Sequence, residues 1–214
     1  MAPKSLDAEQ IRLAFQPIAE YMKGRSEVLR QLDAACGDGD LGITVTNGFT
    51  AIEKRLASLQ GERPDKLLRT LGMTFNNSAA STFGVFFATA FMHAGKAIDG
   101  QDFIGPEDLV RMLQAAVDGI MARGHAKVGD CTLLDALVPA YEAADRVTAK
   151  GGDLEAILSG AAEAARQGAE ETRNLVPKVG RAKWLGQQTK GAQDPGATLV
   201  AYFLEACRDA LGSL

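Results

Sequence analysis

The chain of 214 residues lacks the features that mark secreted and membrane-spanning proteins. It has only three cysteines, and Cys36, Cys131 and Cys207 stand alone without a CxxC spacing, which is typical of a reduced, cytoplasmic setting. The most apolar run, VFFATAFM at 85–92, is too short to cross a bilayer. The charged stretch MAPKSLDAEQIRL does not resemble the apolar centre of a secretory signal. We therefore expect a cytoplasmic protein with no membrane partner.

Positive charge is also scarce. The net charge is −4, and the lysines and arginines are scattered rather than gathered in a basic block. This balance argues against a nucleic-acid partner and against an anionic membrane surface. No GxxxxGK[ST] motif occurs, which excludes a P-loop enzyme, and GxSxG, HExxH and GxGxxG are absent as well.

Helical periodicity dominates the sequence, and few alternating segments are long enough to form strands. Helices are predicted over 5–22, 26–35, 41–58, 65–75, 78–97, 106–123, 131–149, 154–173 and 197–211. Ser5 is the expected N-cap of the first helix, and the fifth helix, apolar on nearly every face, is expected at the centre. No repeat or linker divides the chain. The prediction is one all-α domain, residues 1–214, of eight or nine antiparallel helices.

Four irregular segments rich in Gly, Asn, Asp or Lys interrupt these helices. They cover 37–42, 75–81, 124–130 and 175–196, and they follow the second, fourth, sixth and eighth predicted helices. In an up-and-down bundle every second connection lies at the same end. The four segments are therefore expected to gather at one end and to form one site.

Asp33, Asp38 and Asp40 are the candidate metal ligands. Carboxylate oxygens suit hard cations such as Mg²⁺, and the intervening glycines let the backbone turn so that several carboxylates converge. Two carboxylates about 4 Å apart repel by roughly 4 kcal/mol at an effective dielectric near 20, which bound cations would relieve. The alternative is a solvated Asp-Gly turn followed by a helix that Asp40 caps. These residues alone leave both interpretations open.

The next two irregular segments also allow two interpretations each. In Asn76-Asn77-Ser78-Ala79-Ala80, backbone N–H groups at a helix start could bind an anion, or Asn77 or Ser78 could be an ordinary N-cap. In the third segment, His125 is either a base or a solvated surface group. Asp130 and Thr132 are candidate caps of the following helix.

The last segment, 175–196, is longer than helix connections in bundles usually are, and such loops are often functional. Arg181 is a candidate phosphate-binding residue, because its planar fork pairs well with phosphate oxygens. Trp184, the only tryptophan, is expected to anchor the segment on the core, with covering a nucleotide as the alternative. Asp194-Pro195-Gly196 is predicted to start the last helix.

Taken together, these motifs resemble the nucleotide-binding L subunit of dihydroxyacetone kinase, which is also the C-terminal domain of single-chain dihydroxyacetone kinases. The resemblance covers essentially the whole chain in the family's order and spacing. It is carried by Asp33-x4-Asp38-Gly-Asp40-x-Gly42, by Gly124-x-Ala126-x-x-Gly129-Asp130-x-Thr132-x-x-Asp135-Ala136-Leu137, by Gly180-Arg181-Ala182 with Leu185-Gly186, and by Gln193-Asp194-Pro195-Gly196-Ala197.

The resemblance implies an eight-helix antiparallel up-and-down barrel with the nucleotide at one rim. It implies ADP or ATP with two Mg²⁺ ions, held by Asp33, Asp38 and Asp40. It leaves the catalytic residue of this metal-assisted phosphoryl transfer unknown, with Arg181 as one candidate. The implied nucleotide-binding residues are Leu41, Gly42, Ile43, Thr44, Ser78, Ala79, Gly124, Leu133, Arg181, Asp194, Pro195 and Gly196. Phosphoryl transfer depends mainly on positioning and charge neutralisation, which agrees with loops gathered around metal ions.

The resemblance also implies partners. In the family, a separate K subunit or domain binds the sugar through a histidine, so this chain alone is not expected to phosphorylate a triose. In one version the L subunit keeps its ADP and is rephosphorylated by a phosphohistidine-carrying phosphotransferase protein, whereas in the other version ATP exchanges. A homodimer stays open as the oligomeric state.

Three positions depart from the family pattern. Leu41 stands where a histidine is usual, Asn76-Asn77-Ser78-Ala79-Ala80 replaces Gly-Gly-x-Ser-Gly, and Cys131 stands where a lysine is common. These changes are compatible with another ketose, such as a four-carbon sugar, or with weak or lost nucleotide turnover. They are also compatible with a non-catalytic regulatory module that docks on partners. A stand-alone Mg²⁺ phosphohydrolase is less expected, because no convincing nucleophile or base stands near the aspartates.

Overall fold

The amphipathic segments form nine α-helices in the computed structural model, which describes residues 3–214. The helices are α1 (Ala8–Gly24), α2 (Ser26–Cys36), α3 (Leu41–Leu56), α4 (Pro64–Ser78), α5 (Thr82–Ala97), α6 (Pro106–Gly124), α7 (Leu134–Thr148), α8 (Leu154–Glu171) and α9 (Pro195–Leu211). A short antiparallel pair, β1 (Leu6–Asp7) with β2 (Phe103–Ile104), joins the entries of α1 and α6. The predicted all-α class is confirmed.

The start of α1 differs from the prediction that Ser5 is its cap. Asp7 caps the helix instead: the Gln10 N–H donates to the Asp7 carboxylate at 2.8 Å, and the Asp7 N–H donates to the Gln10 side chain at 3.0 Å. This reciprocal pair satisfies two backbone donors that a lone serine would leave to water. At the other end of α1, only Arg25 separates it from α2.

Two later helix starts also differ from prediction. Ser78 ends α4 rather than starting or capping α5. The cap of α5 is Ser81, whose backbone is extended and whose hydroxyl accepts the Gly84 N–H at 3.0 Å. The seventh helix starts at Leu134 rather than at Cys131. Cys131 has a left-handed φ of 60°, which no right-handed helix can contain.

The helices pack in a ring. Each of α3 to α8 packs on the next helix in sequence, and α9 packs on both α8 and α1. Both α1 and α2 pack on α3, with Arg12 donating to the Leu56 carbonyl and Gly42 lying against Arg30, so they run antiparallel to α3 as one bent element. Eight packed elements thus follow one another in sequence, and the eight-helix barrel itself stays a prediction. The fifth helix is a member of this ring, so its predicted central position is wrong.

Two apolar clusters fill most of the interior. One joins α1, α3, α4 and α5, the other joins α6, α7 and α8, and α9 contributes to both. A cavity of about 220 Å³ lies between the clusters, and its lining is almost entirely apolar, including Phe87 and Phe203. Among residues 3–214, no helix combines the length and the apolar composition that a membrane crossing needs.

Alternating helix direction sets where the connections lie. Those that follow α2, α4, α6 and α8 share one end of the ring, and those that follow α3, α5 and α7 share the other. The connection after α8 is the longest and contains three short 3-10 helices, Thr172–Asn174, Arg181–Trp184 and Gly186–Thr189. We call residues 172–193 the rim segment.

Candidate nucleotide and metal site

Three carboxylates meet between α2 and α3. Asp33 lies in the last turn of α2, and Asp38 and Asp40 lie in the connection to α3. One oxygen from each carboxylate lies within 4.8 Å of the others. Asp33 is half-buried, whereas Asp38 and Asp40 are exposed. A set of three hard oxygen donors fits Mg²⁺, which keeps several waters and takes few protein ligands.

The backbone around the cluster holds the carboxylates in place. Gly39 has a left-handed φ of 76°, and its Cα faces Ala34, so a larger residue would be strained there. The Leu41 N–H donates to the Asp33 carboxylate at 3.0 Å, while the Leu41 side chain is buried in the core. Asp40 precedes α3, but its side chain accepts no capping hydrogen bond. Asp40 thus holds the N-cap position of α3 as the alternative expects, but its carboxylate does not cap the helix and stays available as a ligand.

The first turn of α3 contains residues 41–44, which belong to the implied nucleotide-binding set. Gly42 packs tightly on the Ser26 carbonyl of α2, which explains the glycine without any ligand. The Thr44 side chain is buried, and Ile43 is 61% exposed. The Gly42 and Ile43 N–H groups belong to the first turn of a helix, where backbone donors lack intrahelical acceptors and anions are favoured.

The rim segment contacts two of the other connections. Arg181 forms an ion pair with Asp38 of the carboxylate cluster. The Lys178 ammonium donates to the Gly129 carbonyl at 2.7 Å and lies 3.5 Å from the Asp130 carboxylate, in the connection before α7. Sequence reasoning had singled out Arg181 but missed Lys178, which no motif distinguished from the other lysines.

A buried carboxylate organises the connection between α6 and α7. Asp135 accepts the Gly129 N–H at 2.5 Å and the Thr132 N–H at 2.7 Å, and the Thr132 hydroxyl accepts the Leu134 N–H at 3.2 Å. Leu133 nevertheless holds the N-cap position of α7 without a side-chain cap, and Asp130 accepts the Lys127 N–H, so the predicted capping by Asp130 and Thr132 is wrong. His125 is exposed in a left-handed conformation that ends α6, which agrees with the surface-group interpretation.

Three more residues of the implied nucleotide-binding set, Gly124, Leu133 and Gly196, lie at the same end of the ring. Gly196, in the first turn of α9, lies against Leu133, so these two predicted residues meet. Gly124 ends α6 and faces the Phe86 ring rather than the other predicted residues. The nucleotide pocket itself stays a prediction.

Asp194 and Pro195 start α9 as predicted. The Asp194 carboxylate accepts the Ala197 N–H at 2.7 Å, and its own N–H donates to the Thr172 hydroxyl at 2.8 Å. Burial, together with the nearby carboxylates of Asp135 and Asp33, raises the pKa of Asp194 to about 7. The start of α9 therefore brings a fourth carboxylate, that of Asp194, towards the three-carboxylate cluster.

The connection between α4 and α5 is placed at the site only by topology. Ser78 is exposed, and Ala79 is buried with its N–H donating to the Phe75 carbonyl at 2.9 Å. The Asn76 side-chain oxygen is buried without a hydrogen-bond partner. Within residues 3–214, no hydrogen bond or ion pair joins this connection to the other three. The roles predicted for Ser78 and Ala79 stay predictions.

Trp184 does not anchor the rim segment. Its side chain is 89% exposed, so the expectation that it packs on the core is wrong. The thiols near the site are buried: burial raises the pKa of Cys36, and it raises the pKa of Cys131 to about 12. Neutral thiols of this kind are poor nucleophiles, so the site is better suited to binding charge than to covalent catalysis.

The fold and the site together define a class of protein, an all-α ring of helices with a carboxylate cluster at one end. A model of the DAK2 domain matches residues 35–209. The ADP-binding subunit DhaL of the PEP-dependent dihydroxyacetone kinase of Escherichia coli (strain K12) is 30% identical over 201 residues, covering 94% of this chain and 96% of that one. The chain therefore belongs to the DAK2 domain family, and the resemblance to dihydroxyacetone kinase L subunits is confirmed.

Two further relatives extend the comparison. The D-erythrulose kinase of Mycolicibacterium smegmatis is 30% identical over 196 residues, covering 91% of this chain and 34% of that enzyme. The crystal structure of the dihydroxyacetone kinase of C. freundii has a TM-score of 0.73 at 24% identity, covering 98% of this chain and 35% of that one. That kinase has also been solved in complex with AMP-PNP and Mg²⁺. At this identity the likeness shows the fold.

Proposed function

We propose that this chain is the nucleotide-binding, phosphoryl-donating subunit of a kinase for dihydroxyacetone or a related ketose. In this proposal, one domain spanning residues 1–214 works in the cytoplasm with a separate sugar-binding subunit. The observation that carries the proposal is the cluster of Asp33, Asp38 and Asp40, with oxygens within 4.8 Å of one another, in a chain whose relatives include named ADP-binding kinase subunits.

The three aspartates would hold the magnesium, in two ions as the resemblance implies. When bound, magnesium neutralises charge on the transferred phosphoryl group and orients its oxygens. The Leu41 N–H donates to the Asp33 carboxylate and so helps to fix the position of that ligand. This arrangement fits the donor set that Mg²⁺ prefers.

Other groups of the chain would position the nucleotide. The free N–H groups at the first turn of α3 and the positive end of its dipole favour phosphate oxygens. Arg181 already lies at Asp38 and has the planar fork that pairs with phosphate, so it is our candidate for stabilising charge during transfer. Gly124, Leu133, Asp194, Pro195 and Gly196 would surround the rest of the nucleotide.

Nucleotide binding is the direct test of this proposal. We expect calorimetry to show Mg²⁺-dependent ADP and ATP binding, which Asp40→Asn weakens by about 10–100-fold because a ligand oxygen loses its charge. Asp118→Asn, which changes an exposed carboxylate on α6, is the matched control and should bind like the wild type. Absence of nucleotide binding by the wild-type chain with Mg²⁺ present would sink the proposal.

A four-carbon ketose is the second candidate substrate. Erythrulose kinases match this chain at 30%, 31% and 32% identity, as closely as the dihydroxyacetone kinase subunits do. Reconstitution with the sugar-binding subunit of the same organism, assayed with dihydroxyacetone and with both erythrulose enantiomers, distinguishes the substrates. The departures at Leu41, Asn76 to Ala80 and Cys131 would be tested in the same assay, since a regulatory module would give no turnover with any sugar.

The source of the phosphoryl group can be identified by measuring how tightly the purified chain retains ADP. The E. coli relative is named as part of a PEP-dependent kinase, in line with rephosphorylation by a phosphohistidine-carrying protein. ADP that stays bound through purification and dialysis would indicate that mechanism. Rapid exchange with free ATP would indicate an ATP-dependent kinase instead.

A further inference from the structure

Trp184 is the most exposed large apolar side chain of the described residues, at 89%. It ends the 3-10 helix Arg181–Trp184, and side chains three residues apart eclipse in a 3-10 helix. Because Arg181 reaches Asp38, Trp184 stands one turn away on the same side as the carboxylate cluster. Burying a tryptophan yields a large apolar gain, so its full exposure beside a site is unusual for an isolated chain.

The rim segment around Trp184 is strongly basic in an acidic protein. Residues 172–193 contain Arg173, Lys178, Arg181, Lys183 and Lys190 and no acidic residue, whereas the whole chain has a net charge of −4. The first three form ion pairs within the protein. Lys183 and Lys190 are exposed, and neither forms an ion pair within residues 3–214. They therefore leave two unpaired positive charges in the same segment as the exposed indole.

We propose that Trp184, together with Lys183 and Lys190 of the rim segment, is the anchor on which the sugar-binding subunit docks. This inference rests on the function proposed above, in which that subunit brings the acceptor hydroxyl to the nucleotide. The docked surface is an apolar slot for the indole, bordered by carboxylates that face the two lysines. Interface hot spots have this form, with a buried tryptophan at the centre and polar groups around it.

Geometry favours this occupant over the nucleotide base. The acceptor hydroxyl has to approach the phosphoryl group beside the carboxylate cluster, so the partner surface closes over the residues next to Asp38. One 3-10 turn rises only about 6 Å, which places Trp184 among those residues. A nucleotide base is separated from its metal-bound phosphates by the ribose, so it lies further from Asp38 than the phosphoryl group that the acceptor hydroxyl has to reach.

Trp184 also provides the readout, because it is the only tryptophan of the chain. The probe is the purified sugar-binding subunit of the same organism, with any tryptophan of its own replaced by phenylalanine. Docking should shift the Trp184 emission to the blue and protect it from acrylamide quenching. Addition of Mg²⁺ and ADP without that subunit should leave the emission unchanged.

Turnover with increasing partner concentration gives the second measurement. In Trp184→Ala the half-saturating partner concentration should rise by about tenfold or more, because a hot-spot side chain is lost. The kcat at saturation and the affinity for Mg²⁺-ADP should stay within about twofold, since no transition-state contact is removed. Trp184→Phe should recover part of the loss. Phe103→Ala, an exposed aromatic at the opposite end of the ring, is the matched control.

Charge reversal tests the basic border. Lys183→Glu with Lys190→Glu should raise the half-saturating partner concentration, most strongly at low salt, whereas Lys150→Glu in the connection after α7 should not. An unchanged partner dependence in Trp184→Ala would overturn the inference. A loss of Mg²⁺-ADP affinity in that variant would assign Trp184 to the nucleotide instead. Failure of the wild type to bind nucleotide would count against the proposed function, separately from docking.

Discussion

Asp194 combines two roles at the start of α9. Its carboxylate caps the helix through the Ala197 N–H, and the fold keeps it beside the carboxylates of Asp135 and Asp33. Burial and these like charges favour the neutral form, so the pKa rises to about 7 from its ordinary value of 3.8. A bound cation or nucleotide would therefore act on a residue that is poised to change charge near neutral pH.

The raised pKa predicts how stability depends on pH in EDTA. The folded chain keeps the Asp194 proton up to about pH 7, whereas the unfolded chain releases it near pH 4, so the contribution is complete below pH 4 and is lost as pH rises through 7. Asp194→Asn keeps an oxygen for the cap and removes the charge. Above pH 7 we expect this variant to be more stable than the wild type by about 1–4 kcal/mol.

Urea unfolding of both proteins from pH 4 to pH 8.5 checks this prediction, because the difference between the two curves isolates Asp194 from every other titrating group. The difference should grow with pH and level off once Asp194 is ionised in both states. A difference that does not change with pH would mean that Asp194 is already ionised in the folded chain at low pH.

At the residue scale, the sequence predicted the features that depend only on the spacing of nearby residues. Asp33, Asp38 and Asp40 fall within eight positions, and a glycine-rich turn is enough to bring their carboxylates together. The ion pair of Arg181 with Asp38 and the exposure of Trp184 depend on how a long connection folds back over the ring. Such contacts between distant parts of the chain leave no periodic signal, which is why the role expected for Trp184 was wrong.

At the scale of elements, one close helix contact supports the site. Gly168 of α8 lies so near the Asp135 carbonyl of α7 that an added Cβ would be 2.2 Å from that oxygen. The same Asp135 holds the Gly129 and Thr132 N–H groups through its side chain. The packing of α8 on α7 thus sets the position of the connection that Lys178 contacts.

Gly168→Ala should lower the free energy of unfolding by about 1–3 kcal/mol, because backbone atoms cannot move aside for the new methyl group. Gly160→Ala, in the same helix, is the matched control. Its Cβ would meet only a methyl of Val147 at 3.2 Å, and alanine is the better helix former by up to about 1 kcal/mol. Urea titrations of both variants make the comparison, and equal stabilities would refute the role of the contact.

Helix existence was predictable and helix boundaries were less so. Amphipathic periodicity gave all nine helices, because each buries one apolar face. The starts of α1, α5 and α7 were misplaced where a neighbouring residue made the better cap or, as at Cys131, a left-handed backbone interrupted the helix. Periodicity does not report these choices, since they depend on single hydrogen bonds and single φ angles.

At the scale of the whole molecule, a polar clamp closes the ring. Arg25, between α1 and α2, lies over the rings of Tyr21 and Tyr202 at 4.6 and 5.2 Å and donates to the Tyr21 hydroxyl at 3.0 Å. Tyr21 in turn donates to Glu205 of α9 at 2.9 Å. One cation thus joins the bent first element to the last helix.

Arg25→Ala should lower the free energy of unfolding by about 1–2 kcal/mol, because the two cation–π contacts and one hydrogen bond are lost together. Arg25→Lys keeps the charge without the planar fork, so its free energy of unfolding should lie between those of the wild type and Arg25→Ala. Arg30→Ala removes an exposed ion pair with Glu27 and should cost at most about 0.5 kcal/mol. If Arg25→Ala matched Arg30→Ala in urea unfolding, the clamp would not stabilise the ring.

The gathering of alternate connections at one end was the prediction that needed the whole fold and not any single motif. The contacts of the rim segment with Asp38 and with Gly129 confirm it for three of the four connections. For the connection after α4 only the helix order supports it. The sequence could not show which side chains cross between connections, because that depends on rotamers and on the path of the rim segment.

The meeting of α1 with α9 has a consequence for biosynthesis. The contact between Tyr21 and Glu205 spans 184 positions, so the ribosome has to deliver α9 before the ring can close. Until then, α1 and α8 each expose an apolar face that α9 covers in the finished protein. A nascent chain stalled before residue 195 would therefore be a substrate for chaperones and proteases. Once α9 has been synthesised, both apolar clusters can become buried at the same time.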